Sequence, residues 1–340
     1  MLAHIRQHFK NIRSILFNSK FSFLRLERFV IRKSKVSKRS FGGKKLLPTI
    51  LVDSLISNSI TTGKPLLVSR FGTTETKVLL EYEALRSSKS NDLETESIQT
   101  LLNLSGVFPA KQDIAKDFCR ALTQVAKEID LCGVRSANVE QNFWKSEDKV
   151  ARFLSDSAQV FDIENLSPLE SDTSWLSALE GKRVLIIHPF VDSIQSQYKK
   201  REKLFITNNW LPNFEMILMK PVQSLGVSYQ ESGHRDWFSA LEYMKLEVYK
   251  LKSDFDLALI GAGAYGVFLG SCIKDLGKQA IHIGGALQLF FGIRGNRWES
   301  DPNFEKLSIV NSNWIFPALH ETPKRSYEVE NSAYWKVQDE

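Results

Sequence analysis

The stretch Phe255-Asp-Leu-Ala-Leu-Ile260-Gly261-Ala-Gly263-Ala-Tyr265-Gly266 decides the fold. A short apolar run closed by glycine reads as a buried strand, and the apolar spacing that continues from Tyr265 to Leu276 reads as a helix. A strand running straight into a helix through closely spaced glycines is half of a parallel β-α-β unit. Outward from this stretch the alternation repeats. Strand-like segments fall at Pro65 to Arg70, Cys132 to Arg135, Arg183 to His188, Phe214 to Met219 and Gln279 to Ile283. Helical spacing falls at Leu46 to Ser59, Thr73 to Ser87, Ile114 to Ile129, Ser193 to Phe205 and Asp236 to Leu251. The expectation is an α/β protein with a Rossmann-like, mostly parallel sheet and helices on both faces.

Charge divides the chain in two. Residues 1–45 hold 13 Lys/Arg and a single acid, Glu27, whereas the remainder is mildly acidic, at −6. Leu2, Ile5, Phe9, Ile12 and Leu16 recur at helical spacing among Arg6, Lys10 and Arg13. That pattern predicts a basic amphipathic arm binding an anionic membrane surface, with packing on the body as the structural alternative. Lys33 to Lys45, containing Gly42-Gly43, reads as a linker. The expected organisation is an arm and linker over 1–45, one domain over 46–340, and an irregular C-terminal segment over 300–340. An acidic body argues against a nucleic-acid partner. No apolar run approaches the ~20 residues that span a bilayer, and the first thirty residues carry cations throughout, unlike a secretory signal. The three widely spaced cysteines suit a reducing compartment. The expected location is therefore cytoplasmic, peripheral at the inner face of the cell membrane.

Gly261, Gly263 and Gly266 sit where a backbone can approach a phosphate and where a helix N-terminus supplies N–H groups. Tyr265 lies within the same turn. A dinucleotide site also needs an acid at the end of the next strand, but Gln279-Ala-Ile-His-Ile283 runs into Gly284-Gly285. A nucleotide diphosphate is expected in place of NAD, where Gly261 to Gly266 meets Gly284 and Gly285. Gln288, Arg294 and Arg297 follow closely, and arginines suit a diphosphate. Arg70-Phe71-Gly72 ends another strand, with Glu75 in the first turn of the next helix, where it either complements the helix dipole or contacts a metal or sugar. His188 ends a third strand and is followed by Gln197, Lys200 and Arg201.

Taken in order, these features resemble the GT-D type glycosyltransferases of bacterial surface-polysaccharide and glycoprotein pathways. The resemblance covers roughly Leu46 to Trp335. It is most specific over Leu259-Ile-Gly-Ala-Gly-Ala-Tyr-Gly266 and Gly285-Ala-Leu-Gln-Leu-Phe-Phe-Gly-Ile-Arg-Gly-Asn-Arg-Trp298, and it is supported by His188-Pro-Phe190, Asp236-Trp-Phe238 and Glu330-Asn-Ser-Ala-Tyr-Trp335. It implies a Rossmann-like fold, a UDP-sugar donor and a divalent metal, Mn²⁺ or Mg²⁺, held by an Asp-x-Glu pair after an Arg-aromatic-Gly turn. Here Glu75 occupies the Glu position and Thr73 the Asp position. A hydroxyl is the poorer ligand for a hard cation, so Glu75 is expected to act with pyrophosphate oxygens and water.

The expected activity is sugar transfer from a nucleotide-diphosphate donor to a lipid- or protein-linked glycan acceptor. Glu75 and Asp236 are the candidate bases should the reaction invert. A nicotinamide-dependent oxidoreductase and a non-catalytic nucleotide-binding scaffold are the competing readings.

Overall fold

The computed structural model describes residues 40–85, 91–136, 141–166, 174–205, 211–299, 310–323, 326–329 and 332–336. The basic arm, residues 1–39, lies outside them. Among the described residues nine strands form one sheet, ordered β1-β2-β5-β4-β3-β9-β8-β6-β7. All neighbours pair in parallel except β1 (Ser40–Phe41) and β2 (Lys44–Leu47). These two form a hairpin whose turn is Gly42-Gly43, both residues at positive φ, as a two-residue hairpin turn requires. Residues 40–45 of the segment expected as a linker therefore belong to the sheet, and Phe41 is fully buried. Leu46 and Leu47 belong to β2, and the helix expected from Leu46 begins after Pro48, as α1 (Thr49–Thr62). Proline is favoured at a helix start because no intrahelical bond needs its missing N–H.

The chain continues through β3 (Leu66–Arg70), α2 (Thr73–Leu85), α3 (Thr95–Ser105), α4 (Gln112–Val125), β4 (Leu131–Val134), α5 (Gln141–Val150) and β5 (Gln159–Asp162). The second half is β6 (Arg183–Ile187), α6 (Val191–Tyr198), β7 (Glu215–Met219), α7 (Trp237–Lys250), β8 (Leu257–Ile260), α8 (Gly266–Asp275) and β9 (Gln279–His282). Two short helices follow, α9 (Leu287–Phe290) and α10 (Asn296–Glu299).

Strand residues point alternately to the two faces, and the core follows that rule. Leu185, Ile187, Ala258, Ile260, Leu67 and Ala280 join one apolar layer beneath α4, α7 and α8. Val184, Ile186, Leu257, Leu259, Val68 and Ile281 join the other, beneath α1, α6 and the C-terminal Trp335. A sheet buried on both faces explains why Val184 to Ile187 in β6 and Leu257 to Ile260 in β8 read as unbroken apolar runs.

The halves meet where β3 pairs with β9, Leu66 opposite Gln279 and Val68 opposite Ile281. From β3 the chain leaves for β4 on one side, and β9 is reached from β8 on the other. This is the topological switch point, outside which open α/β sheets place their ligands.

Candidate functional site

A cleft opens at the carboxyl ends of β3 and β9. Its walls include Arg70 to Glu75, Arg135, Gly263, Ala264, His282, Arg297 and Tyr334. The starts of two helices reach it: α2 directly after β3, and α8 through the single turn Gly263–Tyr265. Helix N-termini carry unpaired N–H groups and partial positive charge, so both favour an anion.

Arg70 is the central cation. One guanidinium N–H donates to the Phe71 carbonyl at 3.3 Å, while its buried Nε has no hydrogen-bond partner. Burial, then the nearby Arg135, lowers its pKa, with Tyr334 and Glu75 opposing. An arginine remains protonated under such a shift, so the charge persists with donor capacity unused. Arg135 pairs with Glu147 at 2.6 Å. Burial holds the Glu147 carboxyl above its ordinary range, against the pull of Arg135. Arg297 donates to the Tyr334 hydroxyl at 3.2 Å and lies 5.0 Å from that ring's centre. Three guanidinium groups against the two carboxylates of Glu75 and Glu147 leave the walls net positive.

His282 is buried and bonded through Nδ1 to Ser69 Oγ at 2.9 Å, while its Nε2 has no partner. Burial, with Arg70 acting the same way, pushes its pKa down to about 3. It is therefore a neutral ring at the base of a cationic cleft.

The glycines divide by what occupies the space beside them. A Cβ on Gly261 would fall 2.5 Å from the His188 ring, one on Gly266 2.2 Å from His282 Nε2, one on Gly284 2.6 Å from an Arg70 nitrogen, and one on Gly285 2.2 Å from Tyr334. Those four make room for the protein's own side chains. Gly263 differs: no atom lies within 4 Å of its Cβ position, and it lines the cleft. Gly72 accommodates Glu75, whose carboxylate folds back across it.

Of the residues singled out in the sequence, the cleft brings together Arg70, Gly72, Glu75, Gly263 and Arg297. Gly266, Gly284 and Gly285 border it behind His282, Arg70 and Tyr334. The remaining side chains lie elsewhere. Tyr265 turns into the core, bonded to Ser224 at 2.9 Å and stacked on Trp237, and burial raises its pKa. His188 is a buried ring whose Nδ1 accepts from the Phe190 N–H. Gln197 holds the Gly292 and Asn313 carbonyls, and Gln288 holds those of Arg294 and Tyr334. Arg294 pairs with Glu299, Arg201 lies over Tyr198, and Lys200 is exposed. Asp236 caps α7, accepting from the Ser239 N–H at 2.8 Å and from Arg235. Burial works against its charge, but those bonds prevail and hold its pKa low. That is the state of a helix cap, and it leaves Asp236 a weak base.

Sequence reasoning missed Arg135, His282 and Tyr334. The signal for the first two was position: each sits at the carboxyl end of a strand flanking the seam. Tyr334 comes from the segment expected only to be irregular, and it forms part of one wall.

Neither a protein-family model nor a curated protein matches the chain. A solved structure described as the selenomethionine-substituted domain of unknown function 1792 is similar over 69% of this chain and 82% of that one, at 12% identity and a TM-score of 0.35. That likeness, below a TM-score of 0.5, assigns no function to this chain.

One group of metal-capable side chains, Asp192, His320 and Glu321, converges among the described residues. None of them lines the cleft. Within the cleft Glu75 stands beside Thr73, and Glu147 is committed to Arg135. A lone carboxylate does not fit a divalent ion held by a protein pair. The arginines and helix starts are the cleft's means of meeting negative charge.

Proposed function

We propose that the chain is a glycosyltransferase that binds a nucleotide-diphosphate sugar, with UDP as the expected nucleotide, in the cleft between β3 and β9. The observation that carries this reading is Arg70: a half-buried arginine whose buried Nε has no partner, at the switch point, flanked by Arg135 and Arg297. A diphosphate has the charge and the oxygen acceptors this arrangement lacks. The open space at Gly263 lets phosphate approach the turn leading into α8.

In sugar transfer, negative charge grows on the departing diphosphate as the glycosidic bond breaks. Fixed positive groups at that point lower the barrier because they need no reorganisation during the reaction. Arg70 and Arg297 supply them, and Arg135 reinforces them while anchored by Glu147. Glu75 lines the same cleft, and its proposed role is to act on the sugar or on the acceptor hydroxyl. No step is assigned to a metal.

The acceptor is proposed to be lipid- or protein-linked glycan at the inner membrane face, with residues 1–39 as an electrostatic anchor. No helix among the described residues is long and apolar enough to cross a membrane. Incubation with UDP-, GDP- and CMP-sugars tests the reading. Release of nucleotide from one class, abolished by Arg70→Gln, is the expected result. Binding without release would favour the scaffold reading, and binding of NAD with no binding of any nucleotide sugar would favour the oxidoreductase.

A further inference from the structure

We propose that Asp192, His320 and Glu321 form a transition-metal site of the zinc type, separate from the cleft, that fastens the C-terminal segment to the start of α6. One ligand atom from each residue lies within 4.8 Å of the other two. One imidazole nitrogen and two carboxylate oxygens form a donor set suited to zinc and similar ions, with a further position left for water.

Three observations favour a cation over a simple polar cluster. First, Glu321 is already oriented as metal-bound carboxylates are, by outer hydrogen bonds. Its oxygens accept from the Asp192 N–H at 2.8 Å and from the Ser193 N–H and hydroxyl. Second, those bonds match the positive start of α6 to Glu321 alone, leaving the Asp192 charge facing His320 at 2.7 Å. Among the described residues neither carboxylate has a lysine or arginine partner within 4.0 Å. Third, access is open. Asp192 and His320 have side chains 61% and 64% exposed, so an ion can enter between them by small rotations, whereas Glu321 is buried and fixed.

The position gives the clip a consequence. Ser193 Oγ also accepts from the Ala318 N–H at 3.0 Å, and the Glu321 carbonyl accepts from Trp335 Nε1 at 3.1 Å. Trp335 adjoins Tyr334, which lines the cleft. A metal at this point ties residues 318–321 to α6 and, through Trp335, steadies that wall.

The test uses the full chain after chelation, titrated with Zn²⁺ and, as a spectroscopic probe, Co²⁺. Expected are one zinc bound per chain, Co²⁺ visible bands of a nitrogen–oxygen site, and a zinc-dependent rise in unfolding temperature. His320→Ala, at an exposed position, should weaken zinc binding at least ~100-fold, since even the loss of an outer partner costs ~10–100-fold. It should also remove the temperature shift while leaving the zinc-free stability unchanged. Asp192→Asn should weaken binding in the same direction, and Glu75→Gln should leave it intact. Absence of zinc uptake at micromolar concentration, undiminished uptake in His320→Ala and Asp192→Asn, or loss that follows Glu75→Gln would each overturn the proposal. None of these readouts depends on glycosyl transfer, so failure of the clip and failure of the proposed activity are separate results.

Discussion

Replacing Gly266 with alanine separates two uses of a glycine at a strand-to-helix turn. If Gly266 lets a phosphate approach, alanine should cost ligand affinity and leave the fold intact. The structure gives it another task. A Cβ there would lie 2.2 Å from His282 Nε2 and 2.3 Å from Cδ2, so the ring must retreat by roughly 1.3–1.8 Å to reach ordinary contact distance. The ring is buried at 5% exposure and tied to Ser69, so it has little room to move. Overpacking of this kind costs ~1–3 kcal/mol, and a broken Ser69–His282 bond adds ~0.5–1.5 kcal/mol. Against this, alanine gains ~1 kcal/mol over glycine inside a helix. The net expectation is a loss of about 1–3 kcal/mol. In a His282→Ala background the same change meets open space and should return the bare helix gain. The double-mutant cycle then shows a coupling of about 2–4 kcal/mol, at the upper end of the range for residues in contact. Urea unfolding followed by tryptophan fluorescence measures all four proteins. Equal stabilisation by Gly266→Ala in both backgrounds would falsify the packing argument and return Gly266 to the ligand.

Arg70→Gln should weaken nucleotide-diphosphate binding by about 10–100-fold, the scale of one hydrogen bond to a charged group; calorimetry with UDP checks it, and unchanged affinity removes Arg70 from the site. Glu75→Gln should lower turnover at least ~10²-fold if the carboxylate takes part in transfer, whereas near-normal turnover leaves it a helix-dipole residue. Burial holds His188 and His282 at about 3 when folded, below the ~6.5 of an unfolded histidine. The unfolded chain then binds more protons between those values, so stability is fully present above pH 6.5 and falls as pH drops toward 3, by up to ~1.4 kcal/mol per pH unit for each ring. Urea midpoints between pH 7 and 4 should show this slope, reduced in His282→Asn. A chain beginning at Ser40 should fold and no longer sediment with anionic vesicles, whereas one beginning at Leu46 loses the buried Phe41 and about 3–5 kcal/mol; vesicle binding by the Ser40 chain would refute the anchor.

The strands easiest to read were β6 and β8, because a two-sided core demands an unbroken apolar run; β3 and β9 were read from shorter apolar centres together with the glycine turns that follow them. The β1–β2 hairpin was concealed by its brevity and its lysines, and Gly42-Gly43 looks alike as a turn or as a linker. In β5, Gln159-Val-Phe-Asp162 offers only two apolar residues, too few for periodicity to register. At the site, Arg70, Glu75 and Gly263 were legible because strand ends and helix starts were legible. Gly261, Gly284 and Gly285, expected to meet the diphosphate, have their Cβ positions beside His188, Arg70 and Tyr334. A glycine admits any close neighbour, and the sequence does not say whether that neighbour is a phosphate or a His188 ring. Tyr334 had no local signal at all, since its place depends on how the tail returns across the sheet.

The pairing of β3 with β9 also sets an order of events. Leu66 and Gln279 are more than two hundred residues apart along the chain, so at ~5–20 residues/s a ribosome needs roughly 10–40 s to supply the partner strand. During that interval the first half can pair β3 with β4, while the other edge of Leu66 to Val68 stays open, a template for wrong partners. The cleft cannot exist before β9 arrives, and its Tyr334 wall follows later still. Binding capacity is thus the last property the nascent protein acquires, and ribosome-bound chains ending before Gln279 should retain no nucleotide.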